Sequence, residues 1–232
     1  MKYILFVLLV VGVAGAGVFW MKRTPSQMPE TSLAAGEATP TPSESVELRD
    51  GTYVLDPAVS VMTWAGSKKI IKDYVDRGSI SLQSGTTVVV DGKVASGSVV
   101  VDMNSIAPSS TGRGGGQDGL ARHLKSADFF DAEVFPTATF ILSKLTGGDN
   151  GMYRVEGTLT LKGVTEAVAF DATVKSQGED RIVMDARSIQ LDRSKWQVKY
   201  GSETFFDNLG DAIINNVFEV SFTAVGVLAA TR

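Results

Sequence analysis

His123 is the single histidine of a 232-residue chain that has no cysteine. A nucleophile–histidine–carboxylate triad, or a histidine-bearing metal centre, would have to be assembled around that one residue. It stands in the stretch Asp118–Phe130, DGLARHLKSADFF, three residues after Leu120, and is expected to be a hydrogen-bonded structural side chain. Without cysteine there are no disulfides, thiolate nucleophiles or thiolate metal sites, and no residue to carry a lipoprotein acyl anchor. Asp207 and Asp211 lack the spacing of a metal-binding loop. Gly112-Arg113-Gly114-Gly115-Gly116 has the backbone of a phosphate nest but neither the spacing nor the lysine of a P-loop, and reads as a flexible loop. Arg193 has two readings, a partner for a pyrophosphate head or one for Asp192 or Asp207, and the carboxylate pair is expected. Asp76 falls on the apolar phase of its strand, where an unpaired carboxylate is costly, so a bulge at Gly78 is expected to turn it outward. These residues assemble no acid–base pair, so neither a catalytic site nor a metal site is expected, and no resident cofactor.

Charge narrows the partners. With 22 basic and 26 acidic residues the net charge is −4, and no basic surplus faces a nucleic-acid backbone. The N-terminus is apolar: Ile4–Trp20, ILFVLLVVGVAGAGVFW, has no charge and about enough length to span a bilayer core. It reads either as a signal peptide cleaved near Ala14-Gly15-Ala16 or as an uncleaved anchor helix. The anchor is preferred because Val18-Phe19-Trp20 continue the apolar run and Trp20 suits a membrane interface. Residues 24–46, rich in Pro, Ser, Thr and Glu, cannot bury enough apolar surface to offset ordering and form a linker. The expected layout is anchor or signal segment 1–23, linker 24–46 and one folded domain over 47–232.

That domain reads as strands. Tyr153, Val155, Gly157, Leu159 and Leu161 share one face, and Arg154, Glu156, Thr158 and Thr160 the other. Lys162-Gly163 then turns the chain into Val168, Phe170, Ala172 and Val174 at the same period, which makes a hairpin with one wet face. Phe140 and Leu142, then Phe218, Val220, Phe222 and Ala224, then Ile80 and Leu82, repeat the pattern, and Asp91-Gly92 marks another tight turn. About eight such strands predict a sandwich or closed barrel. Asp118 is expected to cap a short helix with Leu120, Leu124 and Ala127 on one side, inserted before Pro136 and closing one barrel end.

Several runs, taken in order, resemble the YceI-like polyisoprenoid-binding family. They are Tyr53-Val54-Leu55-Asp56-Pro57, Ser60-Val61 with Trp64, GSISLQSG over 78–85, Val101-Asp102-Met103 with Ser105-Ile106, HLKSADFFD over 123–131, FPTATF over 135–140, GTLTLKGVT over 157–165, and Leu191 with Arg193 and Trp196. The resemblance implies an antiparallel up-and-down, lipocalin-like barrel, an elongated apolar cavity for an isoprenoid tail, and a domain outside the cytoplasmic membrane, periplasmic or extracellular. It would be held through the N-terminal helix, or secreted if that segment is cleaved. At Asp76 and Val59 this chain departs from histidines that relatives often carry, which bears on a head group more than on a tail.

Alternation then nominates the inward side chains of a lipid site: Trp64, Phe140, Leu142, Leu159, Leu161, Phe170, Phe218 and Phe222, with Phe129, Phe130 and Trp196 at the mouth or wall and Arg193 toward a head group. A small barrel can hold one ligand because its inward residues need not fill it. The expected partner is an isoprenoid or similar lipid, and a second copy of the chain is admitted. The competing readings are a packed barrel acting as an envelope interaction domain and, less favoured, an enzyme on isoprenoid lipids.

Overall fold

Two dipeptides with positive φ at both residues set the hairpins. Lys162 (φ 48) and Gly163 (φ 75) join β6 (Met152–Leu161) to β7 (Val164–Ser176), and Asp91 (φ 51) and Gly92 (φ 69) join β3 (Val75–Val90) to β4 (Lys93–Ser110). This is the backbone hand that matches the twist of the flanking strands. The computed structural model describes residues 48–111, 116–148 and 151–230. The other strands there are β1 (Gly51–Leu55), β2 (Val61–Ser67), β5 (Thr137–Gly147), β8 (Arg181–Asp192) and β9 (Val217–Leu228), with one α-helix, α1 (Gln117–Lys125).

All pairings are antiparallel, and each strand from β2 to β9 lies beside its neighbours in sequence. β9 returns to pair with β2, which closes the barrel. Nine strand segments make eight staves. β2 pairs with the first half of β3 and β1 with the second half, while β9 flanks both in the same way. β1 and β2 are therefore one stave with a break at residues 56–60. Pro57 has no N–H to give to a ladder. The break is bridged instead: the Asp56 N–H donates to Val225 O (2.8 Å), Ser60 Oγ donates to Asp56 O (2.7 Å), and the Val225 N–H donates to Ser60 Oγ (3.0 Å).

One end of the barrel is plugged by buried Leu48, Tyr53, Val89, Val174 and Ile182. The other end carries the β2–β3 loop, α1 and the excursion between β8 and β9, which contains 3₁₀ turns at Arg193–Trp196 and Gly210–Ala212. The helix departs from expectation at both ends. Its N-cap is Gly116, extended with a positive φ (φ 72, ψ 153), and Asp118 lies inside the first turn, where a carboxylate favours the helix dipole without capping. At its end Ser126 bonds back to His123 O through both N–H and Oγ, so Ala127 falls beyond the helix and is exposed. Leu120 and Leu124 face the barrel as expected.

Among the described residues no helix is long and apolar enough to cross a membrane. The segment Ile4–Trp20, the linker 24–46 and the glycine-rich 112–115 lie outside the described residues.

Candidate ligand-binding cavity

The inward phase of the staves leaves two chambers along the barrel. The one toward the plugged end has a volume of about 150 Å³ and the one toward the helical end about 360 Å³. They share Met62, Val101, Leu159, Leu191 and Val220, a waist contributed by five strands. On β9 the lining runs from Phe218 to Gly226, about 26 Å along the strand at about 3.3 Å per residue. At a tilt of about 40° that is roughly 20 Å along the barrel axis. The larger chamber alone falls within the roughly 300–1,000 Å³ range of small-molecule sites.

Most of the nominated side chains meet here. Phe140, Leu142, Phe170 and Phe222 line the inner chamber, where Phe170 contacts Phe140 (centroids 5.7 Å) and Phe222 (6.0 Å, edge-on). Trp64, Phe129, Phe130, Leu161 and Phe218 line the chamber under the helix, and Leu159 borders both. Two glycines make this packing possible. A Cβ at Gly78 would lie 2.3 Å from Ala107 O and 2.5 Å from the Trp64 ring, and one at Gly157 would lie 2.5 Å from the Phe140 ring.

Trp196 departs from the expectation. It is fully buried but lines neither chamber, because its Nε1 donates to Leu159 O (2.9 Å) and holds the ring in the core beneath the 3₁₀ turn. Asp76 also departs: it is half-buried and lines the helical-end chamber. The irregularity beside Gly78 adds a residue to β4, since Arg77 pairs with Ser110 and Gly78 with Pro108. The alternation of β3 therefore runs on unbroken and Asp76 stays inward. Val59 sits exposed in the stave break, outside both chambers.

Polar groups gather at the helical end, where Lys68, Tyr74, Asp76, His123, Arg193, Tyr200 and Asn215 line the chamber. Arg193 is 2% exposed. Its expected partners, Asp192 and Asp207, are replaced by carbonyls: Nε donates to Asn215 O (3.1 Å), Nη1 to Val198 O and Tyr200 O (both 2.8 Å) and Nη2 to Ile214 O (3.1 Å). Four of its five N–H groups are thus committed to the backbone, and the guanidinium lies 5.6 Å over the Phe129 ring. Burial pulls its pKa down to about 10, with Asp192 opposing. Lys162 plays a similar part outside, donating to Ala127 O (3.0 Å) and Phe129 O (2.5 Å), so the tip of the β6–β7 hairpin holds the segment after α1. Burial lowers its pKa, against Asp131 and Asp128.

His123 packs edge-on against Phe129 (5.1 Å) and Tyr200 (4.5 Å). Its Nε2 is 3.7 Å from Asp128 Oδ2, too far for a hydrogen bond. Among the described residues no group of three His, Asp or Glu side chains is placed to hold a metal ion. Met62, Leu191 and Tyr200 line the cavity without having been nominated. Met62 and Leu191 were in phase with nominated neighbours, whereas Tyr200 lies in an excursion with no period to read.

Comparison with known proteins follows the same outline. The YceI-like domain profile matches residues 53–225. A UPF0312 protein of Vibrio cholerae is 39% identical over 59 residues, which cover 25% of this chain and 31% of that protein. The chain spans less than half the length of the curated relatives it matches. Burkholderia cenocepacia BcnA superposes with a TM-score of 0.56 at 24% identity, covering 76% of this chain and 99% of that one. A polyisoprenoid-binding domain from Saccharophagus degradans, implicated in plant cell wall breakdown, superposes with a TM-score of 0.59 at 19% identity, covering 78% and 100%. At these identities the solved structures establish a shared fold.

Proposed function

Because this chain belongs to the YceI-like domain family, we propose that its barrel binds a long apolar lipid of isoprenoid type, without chemical conversion, on the outer side of a bacterial cytoplasmic membrane. The observation that carries this reading is the cavity: apolar at the waist, with only Tyr53, Thr86, Thr87 and Ser98 as polar side chains in the inner chamber, and with the charged side chains confined to the helical end. Such a shape suits a hydrocarbon chain inserted tail first, its head near Lys68, Tyr74 and Tyr200. Each CH₂ taken from water contributes roughly 0.8 kcal/mol before ordering costs, so affinity should grow with chain length more than with head group. A packed barrel fits poorly with chambers of about 150 and 360 Å³. The location outside the membrane rests on the apolar N-terminal segment and on the family resemblance; the carrier role rests on the cavity.

The test is mass spectrometry of lipid released from the full chain purified from bacterial membranes, beside a Gly97→Leu variant. Gly97 lines the inner chamber, and the nearest atom to a Cβ there is 3.5 Å away, so the larger side chain enters the cavity without a backbone clash. The expected result is a stoichiometric isoprenoid on the parent chain and a shorter one, or none, on a folded variant. Absence of lipid, with no uptake of added polyprenol, would refute the reading.

A further inference from the structure

The loop joining β2 to β3 is unlike the rest of this acidic chain. Residues 68–74 read KKIIKDY, three lysines and two isoleucines with one acid, in a protein of net charge −4. Ile70 is 57% exposed, and Lys69 and Lys72 are exposed beside it. The loop is braced: the Asn215 N–H donates to Ser67 O (2.9 Å), the Lys69 N–H to Ile213 O (3.2 Å) and the Tyr74 N–H to Ile71 O (3.3 Å), and Lys68 forms a bridge with Ile214. Ile70 is thus held outward by a fixed backbone. The same loop is part of the cavity rim, since Lys68 and Tyr74 line the helical-end chamber, with the Lys68 ammonium 5.2 Å over the Tyr74 ring. Lys69 pairs with Glu203 (2.5 Å), and three residues further along the chain Phe206 is 49% exposed. Asp73, Asp76, Glu203, Asp207 and Asp211 also lie on this end, but Asp76 faces into the chamber, Glu203 is engaged by Lys69 and only Asp73 belongs to the loop.

An exposed aliphatic side chain with lysines on both sides of it in the chain matches a phospholipid surface: the apolar group enters the interface while an uncommitted ammonium group meets phosphate. We propose that this rim loop docks the barrel on an anionic bilayer, with Ile70 inserted and Lys72 on lipid phosphate, so that the cavity mouth opens against the membrane. The purpose given to the docking rests on the lipid-binding reading, but its test does not.

The chain has no cysteine, so Ile70→Cys carries a single environment-sensitive NBD label, and Glu179→Cys, in the exposed turn between β7 and β8 at the plugged end, serves as the control. The full-length protein is added to phosphatidylcholine vesicles with and without phosphatidylglycerol. The expected result is a blue shift and a several-fold rise in emission at position 70, with quenching by spin-labelled lipid, stronger with phosphatidylglycerol and absent at position 179. Lys72→Gln should raise the lipid needed for half the response about fivefold, the share of one lysine near an anionic surface. An unshifted label at 70 on vesicle-bound protein overturns the proposal. So does a shift that follows protein concentration rather than lipid, which would identify a second copy as the partner. Co-purified isoprenoid with an unshifted label removes docking alone, and a shifted label on lipid-free protein removes the cavity reading alone.

Discussion

Replacing Arg193 by Met should cost this barrel about 4 kcal/mol, although the side chain pairs with no carboxylate. Its four hydrogen bonds gather the carbonyls of Val198, Tyr200, Ile214 and Asn215, two chain segments with no ladder of their own at that point. Hydrogen bonds to a charged group contribute roughly 1.5–3 kcal/mol each, so four contribute about 6–12. Against this stands desolvation of the guanidinium: its pKa falls from 12.5 to about 10, which corresponds to roughly 3 kcal/mol. Burying a methionine in its place recovers roughly another 2 kcal/mol. A net loss near 4 is a large part of the roughly 5–15 kcal/mol that holds a domain together. Urea unfolding followed by circular dichroism and tryptophan emission measures it. Because Trp196 sits in the same excursion, part of the loss should emerge as an early change in its emission. Arg193→Lys should lose at least half as much, since an ammonium cannot fork toward carbonyls on two segments. A loss below about 1 kcal/mol for Arg193→Met, with an unchanged denaturant slope, would refute the bracket.

Gly78→Ala should destabilise by about 3 kcal/mol or fail to fold, because its Cβ meets backbone oxygen and the Trp64 ring. Gly66→Ala, with nothing within 4 Å, should stay within about 1 kcal/mol of the parent, and thermal melts of the pair read the contrast. Tyr53 is buried in the plug, and its phenol donates to Arg49 O (2.9 Å). Burial raises its pKa above 10.0. Above that value the unfolded phenol ionises before the folded one, so the unfolded state holds fewer protons and stability falls as pH rises. The advantage of the parent over Tyr53→Phe, about 1 kcal/mol at neutral pH, should therefore hold below about pH 9 and shrink as pH rises past about 10 in urea melts. A constant difference would remove the titration from the account.

Local rules made much of the barrel legible. A turn dipeptide with two positive φ values, and side chains alternating at a period of two, are decided within a few residues, so the β6–β7 and β3–β4 hairpins and the inward phase of Phe140, Leu159, Phe170 and Phe222 could be read directly. The same rules misplaced what depends on a distant partner. Asp76 stayed inward because the extra residue beside Gly78 belongs to β4, and no feature of β3 records that. Trp196 left the cavity wall because Leu159 O, 37 residues away, accepts its indole N–H. Arg193 took carbonyls in place of aspartates because the loop returning through Ile214 and Asn215 brought unpaired backbone acceptors to it. The merger of β1 and β2 into one stave required β3 and β9 on either side. The sequence by itself determined an antiparallel β domain with an apolar inner face, since side-chain period and turn chemistry are local. Only the tertiary structure decided that this face encloses space, where its polar end lies and which residues guard it, because those properties belong to strands that meet only when the barrel closes.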